Sequence, residues 1–203
     1  MPEVTFNFVS TLDGRATISG SSRALGGDAD LETLLSLRAA ADAVLVGSGT
    51  VRAEGYGRLV GPERRASPPP LVIMSRSFDI PWEAPLFEAA DQPVLIYGDG
   101  EAPDVLAPVE VVRLAELTPA AVLADLDARG VRALLSEGGP TLFRAFLAEG
   151  LVDQLCLTLA PHITGSDETG IVAGGALPSI ADFTLTSVRQ AGDELLLRYA
   201  IVR

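Results

Sequence analysis

The apolar positions of this chain fall into short runs separated by connections rich in glycine, proline and acids. Val4, Phe6 and Phe8 alternate with Thr5, Asn7 and Val9. That period of two predicts a strand over Val4–Val9. Ala43–Val46 is continuously apolar and closes at Gly47, the pattern of a strand buried on both faces. Leu71–Met74, Val94–Tyr97, Val109–Leu114, Val131–Ser136 and Leu155–Ala160 read as further strands, and Pro161 ends the last of them. Leu31, Leu34 and Leu35 mark the apolar stripe of a helix running to about Ala41. Asp28 or Asp30 can cap it, and Glu32 adds negative charge near its start. A second helix begins near Pro119 and stops at Gly130. A third follows the turn Glu137-Gly138-Gly139-Pro140 and runs to Glu149, before Gly150. Phe183–Arg189 and Glu194–Val202 flank Ala191-Gly192-Asp193, which predicts an antiparallel hairpin closing the chain. Residues 50–70 are rich in Gly, Arg and Pro and read as a long surface excursion. Residues 60–70 and 98–108 read as loops.

Strand–helix alternation followed by a terminal hairpin predicts an α/β fold, with a mostly parallel sheet and an antiparallel edge. A chain of 203 residues fits a single domain. Charge narrows the function. All 15 basic residues are arginine, against 27 Asp and Glu, for a net charge of −12. An acidic chain argues against a general nucleic-acid binder. The absence of lysine excludes Schiff-base, P-loop-lysine and Ser–Lys chemistry. One cysteine, Cys156, excludes an intramolecular disulfide framework and a Cys-rich metal site. Its apolar strand predicts burial. No secretory leader or membrane-spanning apolar run is visible, so the expectation is a cytoplasmic protein without a membrane partner. No carboxylate–histidine cluster has metal-ligand spacing, and no metal is expected.

The charge is unevenly spread. Residues 1–65 hold 7 arginines and 8 acids, while residues 66–203 hold 8 arginines and 19 acids. The balanced first third therefore leaves room for a local anion pocket. Glu137-Gly138-Gly139-Pro140-Thr141-Leu142 follows a buried-type strand and opens a helix. Glycines admit positive φ and close backbone approach, and a helix N-terminus suits a pyrophosphate; a plain strand–helix connection is the alternative. Gly47-Ser48-Gly49-Thr50 repeats the logic, with helix capping as its alternative. Neither turn has Gly-x-Gly-x-x-Gly spacing, so an ordinary Rossmann fingerprint is rejected. Arg38 lies seven residues after Leu31, on the same helical face. It must snorkel, pair with a carboxylate such as Asp42, or meet a ligand. Ser75-Arg76-Ser77, at a strand end, suits a phosphate monoester or is simply solvated. Arg52, Arg58, Arg64 and Arg65 either bind an anionic substrate or are solvated. Asp13, Glu54 and Glu137 each precede a glycine, which fits a site and also fits turn chemistry. The lone histidine, His162, carries no nucleophile signature and reads as structural.

Taken in order, these elements resemble the riboflavin-biosynthesis pyrimidine reductases. Ser10-Thr11-Leu12-Asp13-Gly14-Arg15 resembles their S-L-D-G element. Leu37-Arg38-Ala39 through Asp42–Gly47 to Thr50-Val51 resembles L-R-A…D-A-x-L-x-G-x-x-T-V. Ser136–Leu142 resembles E-G-G-x-x-L, and Leu151–Leu155 with Ala160-Pro161 and Gly165 resembles L-V-D-E-L…A-P…G. The resemblance implies a dihydrofolate-reductase-like fold, a three-layer αβα domain over 1–203, and NADPH as cofactor. It implies hydride transfer to the ribosyl C1′ of an aminopyrimidine ribosyl phosphate, and a homodimer. By matched position, Thr11, Thr50, Glu54 and Ser75 line the NADPH site. Arg76 reads its 2′-phosphate, and the turn Gly138–Gly139 with Pro140, Thr141, Leu142, Phe143, Arg144 and Ala145 holds its pyrophosphate. Ser22, Arg38, Arg58 and Glu137 face substrate, with Glu137 as the catalytic carboxylate. The chain departs from the pattern at Ala53-Glu54-Gly55-Tyr56, where the family has A-D-D-P, and at Ala24, where a tryptophan is frequent. A pterin such as dihydrofolate as substrate, and a non-catalytic nucleotide-binding role, stay open beside the pyrimidine reading. No deaminase segment precedes the reductase pattern, so the expectation is a monofunctional enzyme.

Overall fold

A computed structural model describes residues 1–88, 91–101 and 109–203. Part of the loop expected over 98–108, namely 102–108, lies outside the described residues. Among the described residues the elements are β1 (Glu3–Ser10), α1 (Asp28–Ala40), β2 (Ala43–Gly47), α2 (Ser48–Glu54), β3 (Leu71–Met74), α3 (Pro85–Glu88), β4 (Val94–Gly98), β5 (Glu110–Arg113), α4 (Pro119–Ala128), β6 (Ala133–Ser136), α5 (Pro140–Ala148), β7 (Gln154–Leu159), β8 (Phe183–Ala191) and β9 (Glu194–Ile201). The fold is α/β. Contacts divide the chain into two compact units.

The first unit comprises Met1–Pro2 and Leu35–Leu135. Its strands run in the order β5-β4-β3-β2. Every pair is parallel, with registers such as Val46↔Ile73, Ile73↔Ile96 and Ile96↔Val111. Val44, Leu45, Val46, Leu71, Val72, Ile73 and Ile96 are completely buried, which is why these strands read as unbroken apolar runs. Residues 50–70 are not the surface excursion their composition suggests. Val51, Leu59 and Val60 are each 1% exposed, and Tyr56 is buried with them. The Gly- and Arg-rich composition hid four apolar anchors. Tyr97 is buried too, and its hydroxyl donates to Asp125 Oδ2 at 2.7 Å. Asp125 also accepts from Arg129, which pairs with Glu110 at 2.7 Å. Thr118 caps α4, its hydroxyl accepting from the Ala121 N–H at 3.2 Å, the role that Pro119 at the first helical position predicts.

The second unit comprises Glu3–Leu34 and Ser136–Arg203, with strand order β1-β7-β9-β8. β1 and β7 are parallel, and β7, β9 and β8 are antiparallel. The alternation in β1 is realised: Val4, Phe6 and Phe8 are buried. α5 packs on them. Phe6 lies 4.6 Å from Phe143 and 5.3 Å from Phe146, and Phe8 lies 5.2 Å from Phe143, between ring centroids. Such pairs add about 0.5–1.5 kcal/mol each beyond area burial. The predicted hairpin forms around Gly192-Asp193, with Gly192 at φ +61°. Cys156 is 3% exposed, and burial pushes its thiol pKa up.

Two expectations for α1 fail. Asp28 and Asp30 lie in its first turn and do not precede it. Leu31 is 52% exposed and no residue of the helix is fully buried, so the stripe is not a core face. Among the described residues no helix is long and apolar enough to cross a membrane.

Candidate functional site

In the second unit, β1 delivers the chain to Thr11, which is completely buried. The Thr11 N–H donates to the Arg15 carbonyl at 2.9 Å, and Thr11 Oγ1 accepts the Arg15 N–H at 2.8 Å. Gly14, at φ +80°, makes the tight turn between them. Asp13 faces outward and accepts the Gly165 N–H at 2.9 Å. Hydrogen bonds from the Thr11 hydroxyl first, and then from Gly165, hold its carboxyl pKa at about 2. Ser22 lies just beyond a turn at Ser19-Gly20, and its carbonyl accepts the Leu25 N–H at 3.0 Å.

β6 ends at the buried Ser136 and passes through Glu137 into Gly138 and Gly139. Gly138 has φ +83°, and a Cβ there would lie 2.8 Å from Phe8 Cζ and 2.9 Å from Phe8 Cε1. Both backbone conformation and space thus require glycine. The Gly138–Gly139 peptide is cis. Gly139 is the N-cap of α5, without a side-chain cap, and Pro140 follows at the first helical position. The first-turn amides of α5 therefore end in backbone alone, which suits a phosphate oxygen.

The cofactor set nominated around this turn divides by direction. Phe143 is 1% exposed and belongs to the aromatic cluster, so only its backbone is available to a ligand. Arg144 donates to the carbonyls of Gly175 at 3.0 Å and Ala176 at 2.7 Å. That engagement joins residues far apart in sequence, and no local pattern signals it.

In the first unit, Thr50 and Glu54 lie on α2. Its N-cap is Gly47, again without a side-chain bond, so neither Ser48 nor Thr50 caps it. Ser75 follows β3 and is 3% exposed, and among the described residues its Oγ has no hydrogen-bond partner. An orphaned buried hydroxyl beside a strand end is a place for a polar ligand atom. Arg76, next to it, is exposed. Arg38 donates to the Leu59 carbonyl at 3.2 Å and lies 5.6 Å from the centre of the Tyr56 ring. The carboxylate suggested for it, Asp42, accepts the N–H groups of Arg132 and Ala133, both at 2.9 Å. Of the arginine cluster, Arg52 pairs with Asp79 at 2.9 Å. Arg65 donates to the Ala41 carbonyl at 2.6 Å. Arg58 pairs with Asp91 at 2.9 Å and donates to the carbonyls of Val60 and Ala66. These arginines are engaged by the protein and are not merely solvated.

A cleft of about 550 Å³ opens in the second unit, lined by Leu25, Gly26, Gly27, His162, Gly192 and Glu194 among others. None of the nominated ligand residues lines it. His162 is exposed there, and its carbonyl accepts the Leu12 N–H at 2.8 Å. Glu194 is buried and accepts the Gly27 N–H at 2.6 Å. Burial, with the Glu194 charge a lesser cause, raises the pKa of nearby Asp30.

Comparison with known proteins bears on all of this. Residues 2–197 match the RibD C-terminal domain family. The chain is 30% identical to a 2,5-diamino-6-ribosylamino-4(3H)-pyrimidinone 5′-phosphate reductase from Methanothermobacter thermautotrophicus, over 98% of both chains. It is also 30% identical to the riboflavin biosynthesis protein RibD of Mycobacterium tuberculosis, over 97% of this chain but 54% of that one. Among solved structures, a pyrimidine reductase-like protein from Corynebacterium diphtheriae superposes with a TM-score of 0.86 at 26% identity, covering 100% of this chain and 92% of that one. RibD of Acinetobacter baumannii gives a TM-score of 0.83 at 26% identity, covering 100% of this chain and 59% of that one. The chain thus spans nearly all of the archaeal relative and about half of the RibD proteins. With the ordered motifs, the backbone turn before α5 and the family match over residues 2–197 in agreement, the chain belongs to the riboflavin-biosynthesis pyrimidine reductases, the family of the RibD C-terminal domain.

Proposed function

We propose that this protein is an NADPH-dependent reductase acting on an aminopyrimidine ribosyl phosphate, with hydride transfer to the ribosyl C1′. It works as one reductase domain over 1–203. The observation that carries the reading is the Gly138-Gly139 turn. Its backbone presses against Phe8 and opens α5 with no side chain over the first amides, a form suited to a pyrophosphate.

When bound, the nicotinamide supplies the hydride; the chain supplies binding, orientation and exclusion of water. In this reading Gly138–Ala145 receives the pyrophosphate through backbone groups. Thr11, Thr50, Glu54 and Ser75 line the cofactor, with the orphaned Ser75 hydroxyl taking a hydrogen bond from or to it. Arg76 meets the 2′-phosphate, which favours NADPH over NADH. Ser22, Arg38 and Glu137 face the substrate, Glu137 as the catalytic carboxylate. Arg58, engaged on several sides, shapes its own segment. The reading carries with it a cytoplasmic location and a homodimer. The exposed edge of β8, where Leu185 and Val188 are 47% and 55% exposed, supports the latter.

The test is oxidation of NADPH by the purified protein with the aminopyrimidine ribosyl phosphate, beside dihydrofolate and NADH controls. Turnover with the pyrimidine and NADPH is expected. Turnover with dihydrofolate alone would replace the substrate assignment. A melting temperature raised by neither NADPH nor NADH would refute the reading. Arg76→Ala should weaken NADPH about tenfold or more, the scale of one charge-assisted bond, and leave NADH unchanged.

A further inference from the structure

Two segments of the second unit hold each other by exchanged carboxylates. Asp13, on the segment after β1, accepts the N–H groups of Thr164 at 3.3 Å and Gly165 at 2.9 Å. Glu168, on the segment after β7, accepts the Thr17 hydroxyl and the Gly20 N–H, the latter at 3.4 Å, through the same oxygen, Oε2. Backbone bonds run alongside. The Leu12 N–H donates to the His162 carbonyl and the Ala16 N–H to the Thr169 carbonyl, both at 2.8 Å. The Arg15 guanidinium donates to the Glu168 carbonyl at 2.9 Å. The bond from the Thr17 hydroxyl first, and then those from the Gly20 and Ser19 N–H groups, lower the Glu168 pKa.

What Glu168 holds is an unusual turn. Ser19 has φ +53° and Gly20 φ +81°. A two-residue hairpin turn takes positive φ at both central residues, and a non-glycine at the first of them is uncommon. A single pair of backbone bonds between Ile18 and Ser21 closes the turn from inside. Glu168 bonds it from outside, at Thr17 on one limb and at Gly20 on the tip.

The ends of this segment have different anchors. Thr11 is completely buried and exchanges two hydrogen bonds with Arg15. Ser22 is only partly buried and follows directly on the turn that Glu168 holds. We propose that Glu168 is a positioning residue for substrate: by bonding Thr17 and Gly20 it fixes the 17–21 turn and hence the place of Ser22, while Thr11 keeps its place without it. This rests on the reading of Ser22 as substrate-facing.

The experiment compares Glu168→Ala with Glu168→Gln. The amide oxygen of glutamine can still accept from both Thr17 and Gly20; alanine accepts from neither. In Glu168→Ala the KM for the aminopyrimidine ribosyl phosphate should rise about tenfold, the scale of one charge-assisted hydrogen bond. The Kd for NADPH should stay within about twofold, because the bonds that fix Thr11 are untouched. Glu168→Gln should recover most of the KM. Hydrogen exchange of the amides of residues 17–21, read without substrate, should accelerate in the alanine variant and not in the glutamine one. Wild-type KM and exchange in Glu168→Ala would overturn the proposal. So would an equal loss of NADPH affinity, or a glutamine variant that behaves like the alanine one. An inactive wild-type protein would sink the substrate reading by itself, while the exchange pattern would still decide whether Glu168 holds the turn.

Discussion

Gly138→Ala should be costly for two separable reasons. The first is conformational: Gly138 sits at φ +83°, and an L-residue held in the left-handed region loses roughly 1–2 kcal/mol. The second is steric. The new Cβ would lie 2.8 Å from Phe8 Cζ and 2.9 Å from Cε1. Phe8 is itself 7% exposed and packed against Phe143 at 5.2 Å between centroids, so the ring has little room to retreat. Forcing a methyl into a packed site costs about 1–3 kcal/mol. The sum is about 2–5 kcal/mol. For a chain of this size that is a fall in melting temperature of roughly 5–15 °C. Urea denaturation of wild type, Gly138→Ala, Phe8→Leu and the double variant closes a cycle. Leucine lacks the ring atoms that the Cβ would strike, so the double variant should recover about 1–3 kcal/mol of the steric part and none of the conformational part. A Gly138→Ala variant within about 0.5 kcal/mol of wild type would refute the reasoning. A coupling near zero would refute the steric half alone.

Tyr97→Phe should lower stability by about 1–2 kcal/mol, since it removes the hydrogen bond to the Asp125 carboxylate; chemical denaturation checks it. The Tyr97 phenol pKa is raised, by burial first and then by the Asp125 bond. That contribution is complete below the unfolded tyrosine pKa of about 10 and is lost as pH rises above it. Asp42 has a lowered pKa, from the Ala133 N–H first and then the Arg132 N–H. Its contribution is present above the unfolded carboxylate pKa of about 3.9 and is lost as pH falls through the lower folded value. Asp42→Ala should therefore cost no more than about 1 kcal/mol at neutral pH, given its exposure, and should flatten the acid limb of the stability profile. Arg38→Ala should raise the substrate KM about tenfold and leave NADPH affinity unchanged, on the scale of one lost charge-assisted contact. Equal losses of both would show that it serves only to anchor Tyr56 and Leu59.

β2, β3 and β4 were legible because parallel strands buried on both faces leave apolar runs that no helix of that length imitates. β3 falls at Leu71–Met74, as its four apolar residues indicate. Periodicity served α1 badly. Three leucines at helical spacing look like a core stripe, yet Leu31 is half exposed, because spacing reports a face and not what covers it. Composition misled over residues 50–70, where arginines and glycines surround Leu59 and Val60, each 1% exposed. The order of the site motifs was legible, as was Asp13 beside its glycine. What engages Arg58, Arg144 and Glu168 was not. Apart from the Asp91 carboxylate on Arg58 and the Thr17 hydroxyl on Glu168, the partners given for them are carbonyls and amides brought near by the fold, and a backbone group leaves no mark in the sequence.

The second unit is assembled from the two ends of the chain, Glu3–Leu34 and Ser136–Arg203. Its central pairing joins β1 to β7, and the bond from the Val4 N–H to Asp153 closes across 149 residues. During synthesis β1 emerges well before the partners that bury it, and Phe6 and Phe8 stay uncovered until α5, which carries Phe143 and Phe146, has followed. The first unit, drawn from Leu35–Leu135 apart from Met1–Pro2, has β2 to β5 before that. Long-range closure of this kind slows folding and prolongs the exposure of apolar strands. Maturation of this protein should therefore be paced by the return of its last third, and a chain truncated before β7 should retain order in residues 35–135 while its N-terminal strand attracts chaperones.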